Sequence, residues 1–146
     1  MATTDVIEQG FKKALRLLKK KKDNMDLLPE AVATFLLVHS AQGVIDNGGY
    51  RYFFESNWPG NPPYSRFIQA YKAIGCDNQA ADFGRVADTF PFEAPHLDEE
   101  GRNKYMDENL DEEEYAVKGW EKNLCGDEEV WRKLEAFYTT HASDFA

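Results

Sequence analysis

Cysteine is scarce: Cys76 and Cys125 are far apart and form no CxxC pair, which excludes a disulfide framework and fits a reducing compartment. Long apolar runs are missing too. The longest, from Ala31 to Val38 and broken by Thr34, falls well short of the ~20 residues that cross a bilayer. The N-terminal lysines follow the apolar residues instead of preceding an apolar stretch, so no secretory leader is expected. Positive charge is in deficit, with 17 Lys and Arg against 26 Asp and Glu and a net charge of -9. The resulting field opposes nucleic acid phosphates and anionic lipid and favours a cationic partner. A cytoplasmic protein that contacts neither nucleic acid nor membrane directly is the expectation.

Chemistry-bearing patterns are absent as well. There is no phosphate-binding glycine loop, no nucleophile elbow and no Cys–His arrangement. His39, His96 and His141 are scattered, without a close second ligand of the HExxH kind, and His39 and Asp46 lie two helical turns apart, too far to share one metal ion unaided. Carboxylates are abundant enough for some pair to meet in space, as general acid–base work requires, but no spacing selects one. No catalytic residue, metal ligand or cofactor is assigned, and the chain reads as non-enzymatic.

What the sequence does have is helical periodicity. Val6, Ile7, Phe11, Leu15 and Leu18 recur at helical spacing between Thr4 and Lys22, opposite Lys12, Lys13, Arg16, Lys19 and Lys20. A second, more apolar helix runs from Pro29 to a stop at Asn47-Gly48-Gly49, with a short helix at residues 50–56 after it. Residues 57–63 break the pattern, and helices follow from Tyr64 to Ile74 and from Asn78 to Phe90 around Gly75. A loop covers residues 91–97. Three acidic helix starts come next, at Asp98, Asp111 and Asp127, and Val130, Trp131, Leu134, Phe137, Tyr138 and His141 form one stripe on the last helix. With no strand-type alternation, no repeat and no long linker, these segments predict one all-α domain over residues 1–146, a bundle of about seven to eight helices. Within it, residues 1–25 form the basic-faced helix, 26–97 a central core and 98–146 the acidic C-terminal helices.

The stretch from Val44 to Ser56, containing Asn47, Gly48, Gly49, Tyr50, Phe53 and Phe54, and the downstream Ala73-Ile74-Gly75-Cys76 resemble the bacterial DNA mimic protein nineteen family. The similarity runs from about residue 30 to 90, with a further likeness in the C-terminal helix at His141 and Phe145. It implies an all-helical, acidic, dimeric protein, whose best-known relative occupies the DNA-binding surface of a transcription factor. The glycine–aromatic signature carries no catalytic group. Mimicry depends on surface carboxylates outside it.

Residues 98–129 hold 13 acidic residues against four basic ones. Along a single helix that is one net charge per ~5 Å, sparse beside one per ~1.7 Å of duplex axis, so two helices or a dimer are needed to imitate a phosphate path. Asp107, Glu108, Asp111, Glu112, Glu114 and Glu121 are the candidate partner-binding residues, facing a basic protein such as a DNA-binding regulator. The competing reading is that these carboxylates cap helix N-termini, with Glu114 also placed to pair with Lys118.

Two other functional readings stay open. One is a helical scaffold whose acidity serves solubility and whose partner meets an apolar patch near Trp58 and Pro62-Pro63. The other is a carboxylate enzyme, which would need a pocket holding a carboxyl group of raised pKa. The lysine face of the first helix is a solvated end or one that neutralises an acidic neighbour in a dimer, against a contact with membrane or nucleic acid, and Tyr50, Tyr52, Phe53, Phe54 and Trp58 are either a base-stacking platform or packing beneath the glycine turn.

Overall fold

The computed structural model describes residues 4–117, 119–120 and 124–146. Among these residues there are seven α-helices and no strand, as the periodicity predicts. Helix α1 spans Asp5–Lys20 and starts at Thr4, whose side chain accepts the backbone N–H of Ile7 at 3.2 Å. Asp5 and Glu8 lie in its first turn and Lys19 and Lys20 in its last, each complementing the helix dipole.

Helix α2, Glu30–Glu55, is the central element and packs against α1, α3, α5 and α7. Every residue from Ala31 to Val38 is buried, so this segment is apolar on all sides because it meets neighbours on all sides. The two helices expected on either side of the glycines are joined into one kinked element. Only Gly49 leaves helical geometry, at φ 70° and ψ -170°, a backbone region open essentially to glycine alone. The chain therefore bends once and resumes its helix, turning Tyr50, Phe53 and Phe54 into the core.

Helices α3, Tyr64–Ala73, and α4, Asp77–Ala87, form a hairpin around Gly75 that lies on α2. The second of them ends short of the expected Phe90, where the Thr89 hydroxyl donates to the Val86 carbonyl at 2.7 Å. The expected loop at residues 91–97 contains a short turn of 3-10 helix, Pro95–Leu97. Helices α5, Glu99–Asn109, α6, Glu112–Val117, and α7, Glu128–Thr140, complete the bundle, and a final 3-10 turn, Ala142–Phe145, buries Phe145 against Phe35 and Tyr138.

One buried cation fixes α5 in place. Arg102 is 1% exposed, and its guanidinium donates to the carbonyls of Phe54 (2.8 Å), Ser56 (3.4 Å) and Pro95 (2.7 Å) and to the side-chain oxygen of Asn57 (2.8 Å). These carbonyls include the negative end of α2, so the charge is compensated by the helix terminus. Its burial ties the acidic C-terminal region to the core helix.

Candidate functional site

Each acidic cluster begins with a residue that caps a helix. Asp98 accepts the N–H of Gly101 at 2.8 Å, Asp111 that of Glu114 at 2.8 Å, and Asp127 those of Glu129 and Val130 at 2.9 and 3.4 Å. The cap reading thus holds for the first residue of all three clusters. The helix dipole accounts in turn for Glu99, Glu100, Glu128 and Glu129, which lie in the first turns of α5 and α7 as Asp5 and Glu8 do in α1. Glu100, Glu108, Glu113 and Glu128 are exposed and make no hydrogen bond or ion pair among the described residues.

Of the six candidate residues, Asp107, Glu108, Asp111 and Glu114 flank the junction between α5 and α6, which buried Leu110 pins to the core. Glu108 and Glu114 are exposed, and Asp111 serves as the cap. Asp107 is partly neutralised: Arg51 binds its carboxylate at 2.7 Å and also donates to the Leu110 carbonyl at 3.0 Å. Glu112 belongs to α6, with its side chain outside the described ones, and Glu121 and the Lys118 pairing lie outside the described residues. Glu100, Glu113 and Glu128 belong to the acidic clusters read from the sequence but not to the six candidates, since a sequence shows that a cluster is acidic without showing which carboxylate the backbone uses.

The signature residues serve packing. Tyr50, Phe53 and Phe54 are buried among Tyr64, Phe67, Phe83 and Phe90, and half-buried Trp58 stacks on Phe53 at 4.9 Å between ring centres. Of the five aromatics considered as a stacking platform only Tyr52 is exposed. Asn47 donates to the Gly43 carbonyl at 2.9 Å. The Tyr50 hydroxyl donates to Asp82 at 2.6 Å, and burial and that carboxylate together push its pKa far up.

His39 is stacked on Phe11 at 3.9 Å and meets the Trp131 ring edge-on at 5.5 Å. Burial lowers its pKa to about 4, so the side chain is neutral and apolar in character. Asp46 is separated from it by that same indole: Trp131 Nε1 donates to Asp46 at 2.8 Å, and Gln42 and the Gly126 N–H donate to its other oxygen at 2.8 and 2.7 Å. The pair considered as metal ligands is a packed ring and a structural acceptor. His141 sits against Phe137, 4.4 Å between ring centres. No group of three or more His, Cys, Asp or Glu side chains among the described residues is placed to hold a metal ion. Both cysteines are free, Cys76 buried and Cys125 exposed.

The expected apolar patch takes the form of a recess of about 160 Å³ between α1 and the loop before α3, lined by Leu15, Leu18, Met25, Trp58, Pro59 and Pro62 among others. Pro63 is not part of its lining. No helix among the described residues is long and apolar enough to cross a membrane.

A model of the family described as DMP19-like protein matches residues 26–142, and the chain belongs to that family. No curated protein and no solved structure matches it.

Proposed function

We propose that this DMP19-like protein is a non-enzymatic binding domain that presents the carboxylates around the α5–α6 junction to a basic, DNA-binding-type protein surface and competes with DNA there. The family supports a DNA-mimic reading at the level of its name. The observation that carries it is the division of labour within the acidic segment. One aspartate per cluster caps a helix terminus and Glu100 and Glu128 add to the first-turn charge, whereas Glu108 lies at the C-terminal end of α5, where a carboxylate opposes the helix dipole, and is exposed and bonded to nothing among the described residues. Carboxylates left free on a rigid support are what a cationic surface recognises.

The test is capture of host DNA-binding proteins on the immobilised chain at low and moderate ionic strength, with duplex DNA as competitor. Capture of a basic protein that DNA displaces and salt weakens supports the proposal. Capture that nothing displaces, or no capture at all, removes it.

A second reading has one specific observation in its favour, the recess between α1 and the Trp58–Pro62 loop. A scaffold that recognises its partner through an apolar side chain seated there would bind with little response to salt, or more tightly as salt rises. The same capture series separates the two.

A further inference from the structure

Helix α1 precedes the family-matched residues 26–142 and carries a charge opposite to that of the rest of the chain. Lys12, Lys13, Arg16, Lys19, Lys20, Lys21 and Lys22 follow one another with no acidic residue between them. None has an ion-pair partner within 4 Å among the described residues, in a protein with 26 Asp and Glu. The C-terminal dipole accounts for lysines in the last turn; it does not account for Lys12, Lys13 or Arg16.

The strip is rigidly displayed. Ile7, Gly10 and Ala14 are buried against the bundle, and Gly10 lies so close to Tyr138 that a Cβ there would fall 2.9 Å from its ring. Lys12, Arg16 and Lys19 occupy positions i, i+4 and i+7 of the opposite face, and Leu15 lies among them, 43% exposed. Leu15 and Leu18 also form one wall of the 160 Å³ apolar recess, whose opposite wall is the Trp58–Pro62 loop.

We propose that the outer face of α1 docks on an anionic phospholipid surface, with its lysines meeting headgroup phosphates and Leu15 and the recess offering apolar surface to the acyl boundary. A run of four to eight Lys and Arg on an amphipathic helix is the pattern that anionic lipid recognises. The side chain interleaved with these cations is aliphatic, which suits a bilayer. Single-stranded nucleic acid would call for an exposed aromatic to stack on bases, and the one aromatic of α1, Phe11, is already stacked on His39; duplex DNA, which needs phosphate contacts only, is distinguished by the experiment below. The net charge of -9 acts against this approach at long range, but at physiological ionic strength the Debye length is about 8 Å and the local strip governs contact. The inference does not depend on the function proposed for the acidic junction.

The experiment is co-sedimentation of the full chain with phosphatidylcholine vesicles with and without phosphatidylglycerol, at low and physiological salt. Binding to the phosphatidylglycerol vesicles alone, weakened by salt, is expected. The K12Q/R16Q/K19Q/K20Q variant, whose helical content and Tm report that the fold is kept, is expected to lose on the order of 1,000-fold in partition. L15Q should weaken binding less. Equal binding to both vesicle types, no binding at low salt, or an unaffected quadruple variant overturns the proposal. So does a result in which these lysines retain duplex DNA and not vesicles.

Discussion

Arg51, from the glycine–aromatic segment of α2, holds the Asp107 carboxylate at 2.7 Å and at the same time donates to the carbonyls of Leu110 at 3.0 Å and Met106 at 3.4 Å. One guanidinium therefore supports both the end of α5 and the first of the candidate carboxylates. The two partners are unequal, since the Arg51 side chain is 30% exposed and Asp107 is 73% exposed. Replacing Asp107 by Asn removes only a largely solvated ion pair and should cost less than about 1 kcal/mol. Arg51→Ala also takes a donor from the Leu110 carbonyl and breaks the pair with Glu55 at 3.6 Å, while the Met106 carbonyl keeps the Leu110 N–H, and should cost about 1–2 kcal/mol. Urea unfolding of the two variants measures the difference, and equal losses would mean that the carbonyl bonds contribute nothing.

The adjacent glycines of the signature have different duties. At Gly49, φ of 70° and ψ of -170° exclude ordinary L side chains, and a Cβ would also stand 2.8 Å from the Tyr115 hydroxyl. At Gly48 the obstacle is Tyr52, whose Cβ would lie 2.6 Å from a new methyl and cannot turn away, because rotation about χ1 moves the ring and not Cβ. Gly49→Ala should therefore destabilise by about 2–3 kcal/mol through its backbone, and Gly48→Ala by about 1–3 kcal/mol through overpacking. Thermal unfolding of both single variants decides the point. A Gly49→Ala variant as stable as the parent would show that the kink is not held by Gly49.

The boundaries around these glycines illustrate what the sequence reveals. Periodicity located α1, α2, the α3–α4 hairpin and the stripe of α7, because each buries one continuous face or, in α2, every face. The Asn47-Gly48-Gly49 break was also legible, but a glycine pair does not tell whether the chain stops or only bends. Arg102 could not be found from the sequence. Three of its acceptors are backbone carbonyls, two of them on residues about 45 positions earlier, and carbonyls leave no trace in side-chain spelling. The same limit applies to the acidic clusters, where the cap at each first aspartate was readable and the freedom of Glu100, Glu113 and Glu128 was not.

Because Arg102 is buried with carbonyl partners only from the ends of α2 and the Pro95 turn, along with Asn57, its loss strands several acceptors at once. Arg102→Met should destabilise by about 3–5 kcal/mol, and Arg102→Lys should recover only part of this, since an ammonium cannot span the same set of oxygens. Chemical denaturation supplies the values. A methionine variant as stable as the parent would show that apolar packing alone holds α5 to the core.

His39 makes stability depend on pH in a defined direction. Its pKa is about 4 in the fold against the ordinary 6.5, so below pH 6.5 the unfolded chain takes up a proton that the folded chain refuses. The contribution is absent above pH 6.5, grows as pH falls and is complete near pH 4, where it reaches roughly 3 kcal/mol of destabilisation. Carboxylates titrate in part of the same window, so the comparison is with His39→Gln, which cannot titrate there. The stability gap between variant and parent should shift in favour of the variant by a few kcal/mol from pH 7 to pH 4. Parallel curves would place the imidazole in contact with solvent.

The acidic junction can be tested without disturbing its helices, because asparagine caps a helix about as well as aspartate while carrying no charge. The variant D98N/D111N/D127N should keep its stability within about 1 kcal/mol of the parent, with the bonds to Gly101, Glu114 and Glu129 retained by the amide oxygens. Alanine at the same positions should cost about 1 kcal/mol each. The second arm is E108Q/E113Q, which touches no bond among the described residues and should leave stability unchanged. If carboxylates at the junction face a basic partner, the glutamine pair weakens DNA-displaceable capture and reduces its salt dependence, and the asparagine caps weaken it only to the extent that their charge also faces that partner. Full capture by both variants would assign the acidity to capping and solubility and leave the apolar recess as the contact surface.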